Sequence, residues 1–259
     1  MMGNHHALSG AAAWICVAGT PGFVPVLAQI SVSPLEFLAG LALTAGAALL
    51  PDVDHHSATL AHAVPVGGRM AAGTVAALTG GHRGATHSLL AAAAVLLITP
   101  MLSGFLGTLG SLTDPAVIVL TAAGALLIAV ALKVLGRRCG WGRAWLLGGA
   151  AALALSLSAP EAWGVLPLAL VLGWSVHLVG DLLTAGGVPL LWPFRPRPPR
   201  WWRGTPVLRQ IWTRGGRFAV PVLGRTGSRR EWALLLLIGV YALAGAIQTL
   251  GAALGGPPR

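Results

Sequence analysis

Apolar residues in this chain come in blocks of roughly twenty, separated by short stretches where polar residues, Gly and Pro collect. A helix needs about twenty residues to cross the ~30 Å of hydrocarbon in a bilayer. The pattern predicts spans over 7–30 (broken by Gly19, Pro21, Gly22 and Pro25), 35–50, 86–106, 115–135, 144–160, 163–185 and 232–253. Within the blocks Leu, Ala, Val and Gly run on without the alternation of a barrel strand. Only helices and closed barrels satisfy their own backbone in lipid. The fold class that follows is all-α, a polytopic helical membrane protein with about seven transmembrane helices, in a range of five to seven. Residues 57–81 fit the pattern less well, because His62, Pro65, Gly67, Gly68 and Arg69 interrupt a moderately apolar run. They predict a re-entrant or interfacial segment, or a loop.

Composition supports this reading and excludes a soluble domain. Of 259 residues, 55% are hydrophobic and 9% charged, where soluble domains carry about 25% charged residues. The formal charge of +10 is placed unevenly: 195–230 holds ten Arg and no acid, and the remaining basic residues balance the acids. The other basic residues in connections are Arg69 and Arg83, then Lys133, Arg137, Arg138 and Arg143. In a seven-span alternation these and 195–230 share one side, with Glu36, Asp114 and Glu161 on the other. Lys and Arg favour cytoplasmic loops, which puts the N-terminus inside and the C-terminus outside. Trp141, Trp145, Trp163, Trp192 and Trp232 fall near span ends and read as interfacial anchors. No basic residue precedes the first apolar run and no small-residue cleavage site follows it, so the first helix is expected to remain. Cys16 and Cys139 lack the spacing of a disulfide framework or zinc knuckle. The organisation expected is a transmembrane bundle over 1–194, an Arg/Trp/Pro-rich cytoplasmic segment over 195–230, and a final span with its tail over 231–259.

The chemistry is concentrated. Eight His and seven acids are few in such a chain, yet most gather as His6; Asp52-Val53-Asp54-His55-His56; His82-Arg83-Gly84-Ala85-Thr86-His87; and His177-Leu178-Val179-Gly180-Asp181. In the seven-span topology all four clusters meet at one membrane face. His177 and Asp181, four apart, share a helix face, a spacing suited to one metal ion or to an orienting hydrogen bond. Ionisable groups inside a span are costly and normally face a partner, water or an ion. The turn after Pro51 offers carboxylate oxygens and an imidazole together, a mixed N/O ligand set. His82 and His87 point about 140° apart on a continuous helix, so Gly84 is read as an irregular entry, Thr86 as a cap, and His87 as the start of the helix. His5, His56 and His62 are left outside the core set.

These motifs resemble the YdjM-like membrane-bound, predicted metal-dependent hydrolases. The resemblance rests on His6-Ala7-Leu8-Ser9-Gly10, Leu50-Pro51-Asp52-Val53-Asp54-His55, His82 to Leu90, and His177-Leu178-Val179-Gly180-Asp181-Leu182-Leu183-Thr184 with Gly187-Val188-Pro189-Leu190-Leu191-Trp192-Pro193 behind. His56 stands where a Pro is common, and 105–165 and 195–259 carry no recognised motif. The likeness implies that His6, Asp52, Asp54, His55, His82, His87, His177 and Asp181 form a metal site.

Such a site supports metal-assisted hydrolysis, with Asp54, His87 and Arg83 expected to act in the chemistry. His and carboxylate without Cys suit Zn²⁺, and Mn²⁺, Fe or Ni²⁺ also match the ligand types. Arg83 beside the ions keeps the pocket cationic and suits a phosphoester, a phospholipid above all. There is no HExxH, no GxSxG, and no Ser-Arg upstream of His177 as in lipid phosphatases. The ten Arg of 195–230, interleaved with Trp201, Trp202, Trp212 and Phe218, are expected on anionic lipid headgroups rather than on nucleic acid. The expectation is a multi-pass inner-membrane hydrolase with its metal motifs on the cytoplasmic side. The rivals are an ion-translocating transporter and a non-catalytic protein with a structural metal.

Overall fold

The computed structural model describes residues 1–22, 24–27, 30–65, 67–107, 114–136 and 138–255. Its long helices are α1 (Gly3–Ala18), α2 (Pro34–Ala47), α3 (Gly67–Thr79), α4 (Leu89–Leu106), α5 (Pro115–Leu135), α6 (Trp141–Ser158) and α7 (Leu166–Leu182). Two short helices, α8 (Arg200–Gly204) and α9 (Leu208–Ile211), precede α10 (Arg229–Leu254). There is no strand among the described residues, only isolated bridges that tie 184–188 to 212–224.

Among the described residues, five stretches are long and apolar enough to cross a membrane: Pro34–Asp54, Leu89–Leu106, Pro115–Leu135, Pro160–Leu182 and Arg229–Leu254. That is the lower end of the expected range. The first expected span, 7–30, is cut short. Helix α1 stops at Ala18 with Gly19 extended, and the chain doubles back so that the Leu27 and Ile30 amides donate to the Cys16 and Val17 carbonyls at 2.8 and 2.9 Å. Gly19, Pro21 and Pro25 oppose helix continuation there, and polar groups near the end of α10 hold the turn, with Thr20 N–H on Thr249 Oγ1 and Val24 N–H on Gln248 Oε1. In the 57–81 stretch lies a turn at Leu60–His62 followed by the 13-residue α3. At ~1.5 Å per residue α3 is too short to span.

Helix α2 is the centre of the bundle and packs on α1, α5 and α7. Two close approaches fix its lower half: a Cβ at Gly46 would collide with the Leu127 carbonyl, and one at Gly173 would lie 2.6 Å from Ala47 Cβ. Small residues at such crossings let membrane helices touch backbone to backbone. The apolar core includes Trp14, Phe37, Leu43, Ile128 and Trp163. Trp163, expected as an anchor, is therefore a core residue: its ring covers Gly124 and its Nε1 donates to Ser156 Oγ at 3.1 Å. Helix α4, by contrast, has no buried residue and exposes Leu96, Leu97, Ile98 and Met101. An apolar outer surface is what a lipid solvent requires.

Candidate metal centre

Pro51 cannot continue the hydrogen bonding of α2, and the chain tightens into a 3₁₀ turn over Leu50–Asp54 that carries both aspartates. The end of α2 leaves carbonyls without helical partners. One of them, Ala48 O, accepts from His177 Nδ1 at 2.7 Å. The close α2–α7 contact at Gly173 thus sets His177, one turn further on, in its tautomer, with Nε2 free to accept.

His87 is set in the same way from the other side. Ala85–His87 is a 3₁₀ turn, and α4 begins only at Leu89, capped by Ser88 Oγ on Ala91 N–H. Thr86 is not the cap. Its hydroxyl donates to Asp54 Oδ2 at 2.6 Å and so accepts from His87 Nδ1 at 2.9 Å. Asp54 also accepts the Arg83 amide at 3.1 Å and pairs with His82 Nδ1 at 3.0 Å. Arg83, the one non-glycine at positive φ (57°) among the described residues, owes that costly conformation to this grip on its amide.

The two imidazoles now confront each other with Nε2 atoms 3.1 Å apart. Two lone pairs at that distance repel unless a proton or a cation lies between them. Asp52 Oδ1 is 3.5 Å from His87 Nε2 and 3.7 Å from His177 Nε2, and Asp181 Oδ2 is 3.6 and 3.9 Å from the same atoms. Ligands at ~2.0–2.1 Å from a tetrahedral ion are about 3.3–3.4 Å apart, so each of these five pairs lies near ligand spacing. Without an ion, a proton on His87 resolves the conflict. Burial disfavours that charge, but the carboxylates of Asp52 and Asp54 outweigh it and hold the His87 pKa above the ordinary imidazole value.

His6 completes the group. It is fully buried, its ring stacks on His177 at 3.7 Å, and its Nε2 lies 3.4 Å from Asp181 Oδ1. Neither His6 ring nitrogen has a hydrogen-bond partner, a loss that a cation would repair. Three sets of donor atoms lie close enough to hold an ion: His6–Asp52–His177, His87–His177–Asp181 and Asp52–Asp54–His82. Seven of the eight expected ligands belong to these sets. His55 belongs to none. Its Nδ1 is 2.8 Å from Ser57 Oγ and its ring abuts His82 at the rim.

Arginines wall the other side. Arg83 pairs with Asp181 Oδ2 at 2.8 Å and donates to Gly187 O at 3.2 Å. Arg195 donates to Gly80 O at 3.2 Å. Arg217 is drawn beside both, and burial together with the charges of Arg83 and Arg195 lowers its pKa. The Met1 amino group also contacts Asp181.

His5, set aside on sequence, is as buried as His6. Its Nδ1 meets Glu231 Oε1 at 2.5 Å, and Glu231 further accepts the Met2 and Gly227 amides at 2.8 and 2.7 Å. Only the presence of an acid at the mouth of the last apolar block hinted at this partner.

A family model described as YdjM inner membrane protein matches residues 1–252, including 105–165 and most of 195–259, where no motif stands out. No curated protein and no solved structure matches the chain.

Proposed function

The chain belongs to the YdjM inner membrane protein family and is a multi-pass inner-membrane protein, and on that premise we propose that it is a metal-dependent hydrolase of phosphoesters, working at the cytoplasmic face. The observation that carries the proposal is the buried set of His87 Nε2, His177 Nε2 and Asp181, with Asp52 Oδ1 beside both imidazoles and both histidine tautomers fixed from behind. His87, His177 and Asp181, joined by Asp52, would hold one divalent ion, Zn²⁺ by ligand chemistry, Asp52, Asp54 and His82 would hold a second, and His6 lies within reach of Asp52 and His177. A bound ion supplies Lewis acidity and lowers the pKa of a water molecule.

The rest of the chemistry is the chain's own. Asp54 positions the 82–87 loop with three hydrogen bonds. His82, held at Nδ1 by Asp54 and 38% exposed at its side chain, would present its Nε2 to the ion at the open side of the centre. Arg83, with Arg195 and Arg217 behind it, binds the phosphoryl oxygens. Asp52, at 21% side-chain exposure, marks the open side of the centre, which favours a catalytic over a closed structural site. All donors sit at one end of the bundle rather than at mid-depth, which favours hydrolysis over translocation. The connections bearing Arg69, Arg83, Lys133, Arg138, Arg143 and 195–230 follow helices that end on the side of the centre, which supports a cytoplasmic placement.

The test is metal per protein by elemental mass spectrometry on detergent-purified wild type, His87→Ala and His177→Ala, followed by turnover of phosphatidylglycerol, phosphatidic acid and nitrophenyl phosphoesters. Near-stoichiometric metal, lost in both variants together with turnover, is the expected result. A wild type that stays empty after exposure to Zn²⁺ and Mn²⁺ would sink the proposal.

A further inference from the structure

Beyond α7 the chain does not leave the bundle. The Val220 and Leu223 amides donate to the Leu182 and Leu183 carbonyls at 2.7 and 3.0 Å, and the Ala185 amide donates to Gly224 O at 2.8 Å. These bonds clamp the Arg-rich segment onto the end of a membrane span, at the depth where headgroups lie. There a cavity of about 390 Å³ opens, lined by Ala185, Arg203, Arg209, Gln210, Thr213 and Arg214. No acid lines it. None of the three arginine side chains has an ion-pair or hydrogen-bond partner among the described residues, and Arg203 Nε is buried with none.

Three converging guanidinium groups without a counter-charge repel one another, and a buried N–H without an acceptor costs stability. One anion with several acceptor oxygens answers both. Guanidinium forks match phosphate oxygens in pairs, and Gln210, with one amide hydrogen on Pro206 O, has a second to offer an ester or glycerol oxygen. The surroundings identify the source of the phosphate. Trp201 is 66% exposed, Val207 66% and Phe194 76%, while Trp202 meets Trp212 edge-on and Trp212 stacks on Phe218, at 5.8 and 5.5 Å between ring centroids. Aromatic and apolar side chains displayed beside arginines at the end of a span are the signature of residence in the headgroup layer.

We propose that the cavity of Arg203, Arg209 and Arg214 is a binding site for the phosphate of an anionic phospholipid, separate from the metal centre. The site works with or without turnover, so its test does not depend on the hydrolase reading.

The experiment titrates short-chain phosphatidylglycerol, phosphatidylcholine and inorganic phosphate into the full-length protein in zwitterionic detergent, read by Trp fluorescence and by lipid retention in native mass spectrometry. The variants are Arg203→Gln/Arg209→Gln/Arg214→Gln and, as an equal-charge control, Arg197→Gln/Arg225→Gln/Arg229→Gln. Wild type and control should prefer phosphatidylglycerol over phosphatidylcholine, and the cavity variant should lose that affinity roughly tenfold or more. If the cavity variant fails to elute as folded, the single Arg209→Gln and Arg214→Gln variants, both at exposed positions, should each show a smaller loss. Equal loss in cavity variant and control would overturn the site in favour of diffuse charge. Inorganic phosphate binding as tightly as the lipid would overturn the lipid as its source.

Discussion

His5 and His6 are neighbours on α1 and both are wholly buried, yet they face clusters of opposite character. Around His5, donors meet acceptors: Glu231 takes the His5 ring and two backbone amides, and the Ser228 hydroxyl caps its helix. Around His6, acceptors outnumber donors: two imidazole Nε2 atoms and the oxygens of Asp52 and Asp181 converge, Arg83 and the Met1 amino group pair with Asp181 alone, and His6 itself bonds to nothing through either nitrogen. Only His5 Nε2 is left without a partner there, and the paired groups form a structural tie between α1 and α10. A convergence of lone pairs needs a cation to be stable. The difference lies in the balance of donors and acceptors, since burial is the same in both.

The contrast predicts that the two clusters fail differently. The largest effect is expected at the centre. His177→Ala and His87→Ala each remove a ligand, so metal affinity should fall beyond the ~10–100-fold typical of outer-shell changes, read as metal per protein after dialysis. Chelation of the wild type should reproduce the loss, and with it the loss of turnover. If either variant keeps full occupancy, the four-atom centre is wrong as drawn.

Next in size is Glu231→Ala. It strands the buried His5 ring and takes the acceptor from the Met2 and Gly227 amides, and should cost about 3–5 kcal/mol, seen as a lowered melting temperature in detergent. The protein that remains folded should keep its metal. Loss of metal in step with Glu231 would mean that the two clusters are one.

Much of this was legible because titratable groups are rare in an apolar chain and each must have a reason to be there. His6, Asp52, His87, His177 and Asp181 stood out by position alone, and their donor atoms do come within reach of one another. What the pattern could not convey was anything decided by a partner distant in sequence. Glu231 meets His5 across 226 positions. Trp163 reads as an anchor until Gly124 is found opposite, leaving a ring-sized recess inside the bundle. Thr86 reads as a helix cap because hydroxyls before apolar blocks usually are, but Ser88 serves that role and frees Thr86 to join Asp54 to His87. The break at Gly19 was visible, whereas the return of Leu27 and Ile30 onto α1 depended on α10.

Thr86 offers a sharper cut within the centre. Thr86→Val keeps the shape and removes the hydroxyl that links Asp54 to His87 Nδ1. His87 would then lose its fixed tautomer, and metal affinity should fall about 10–100-fold with a stability change of only ~1 kcal/mol. Competition against a chelator of known strength measures the first and thermal unfolding the second. An unchanged affinity would mean that the Thr86 bond is packing detail.

The smallest effect is expected at His55, and it bears on where the centre ends. Family likeness counts this residue among the ligands, yet its Nδ1 is engaged by Ser57 and its ring leans on His82 from the exposed side. Burial and the neighbouring His82 lower its pKa, so at neutral pH it is an uncharged ring that helps hold His82 in place. His55→Ala should therefore leave metal stoichiometry intact and change any turnover by a few-fold at most, through a looser His82, whereas His82→Ala should cost more because it removes a donor of the Asp52–Asp54–His82 set. Should His55→Ala lose one ion while His6→Ala retains it, the second ion lies outward of Asp54 rather than inward, and the open mouth of the site is the reaction chamber's floor.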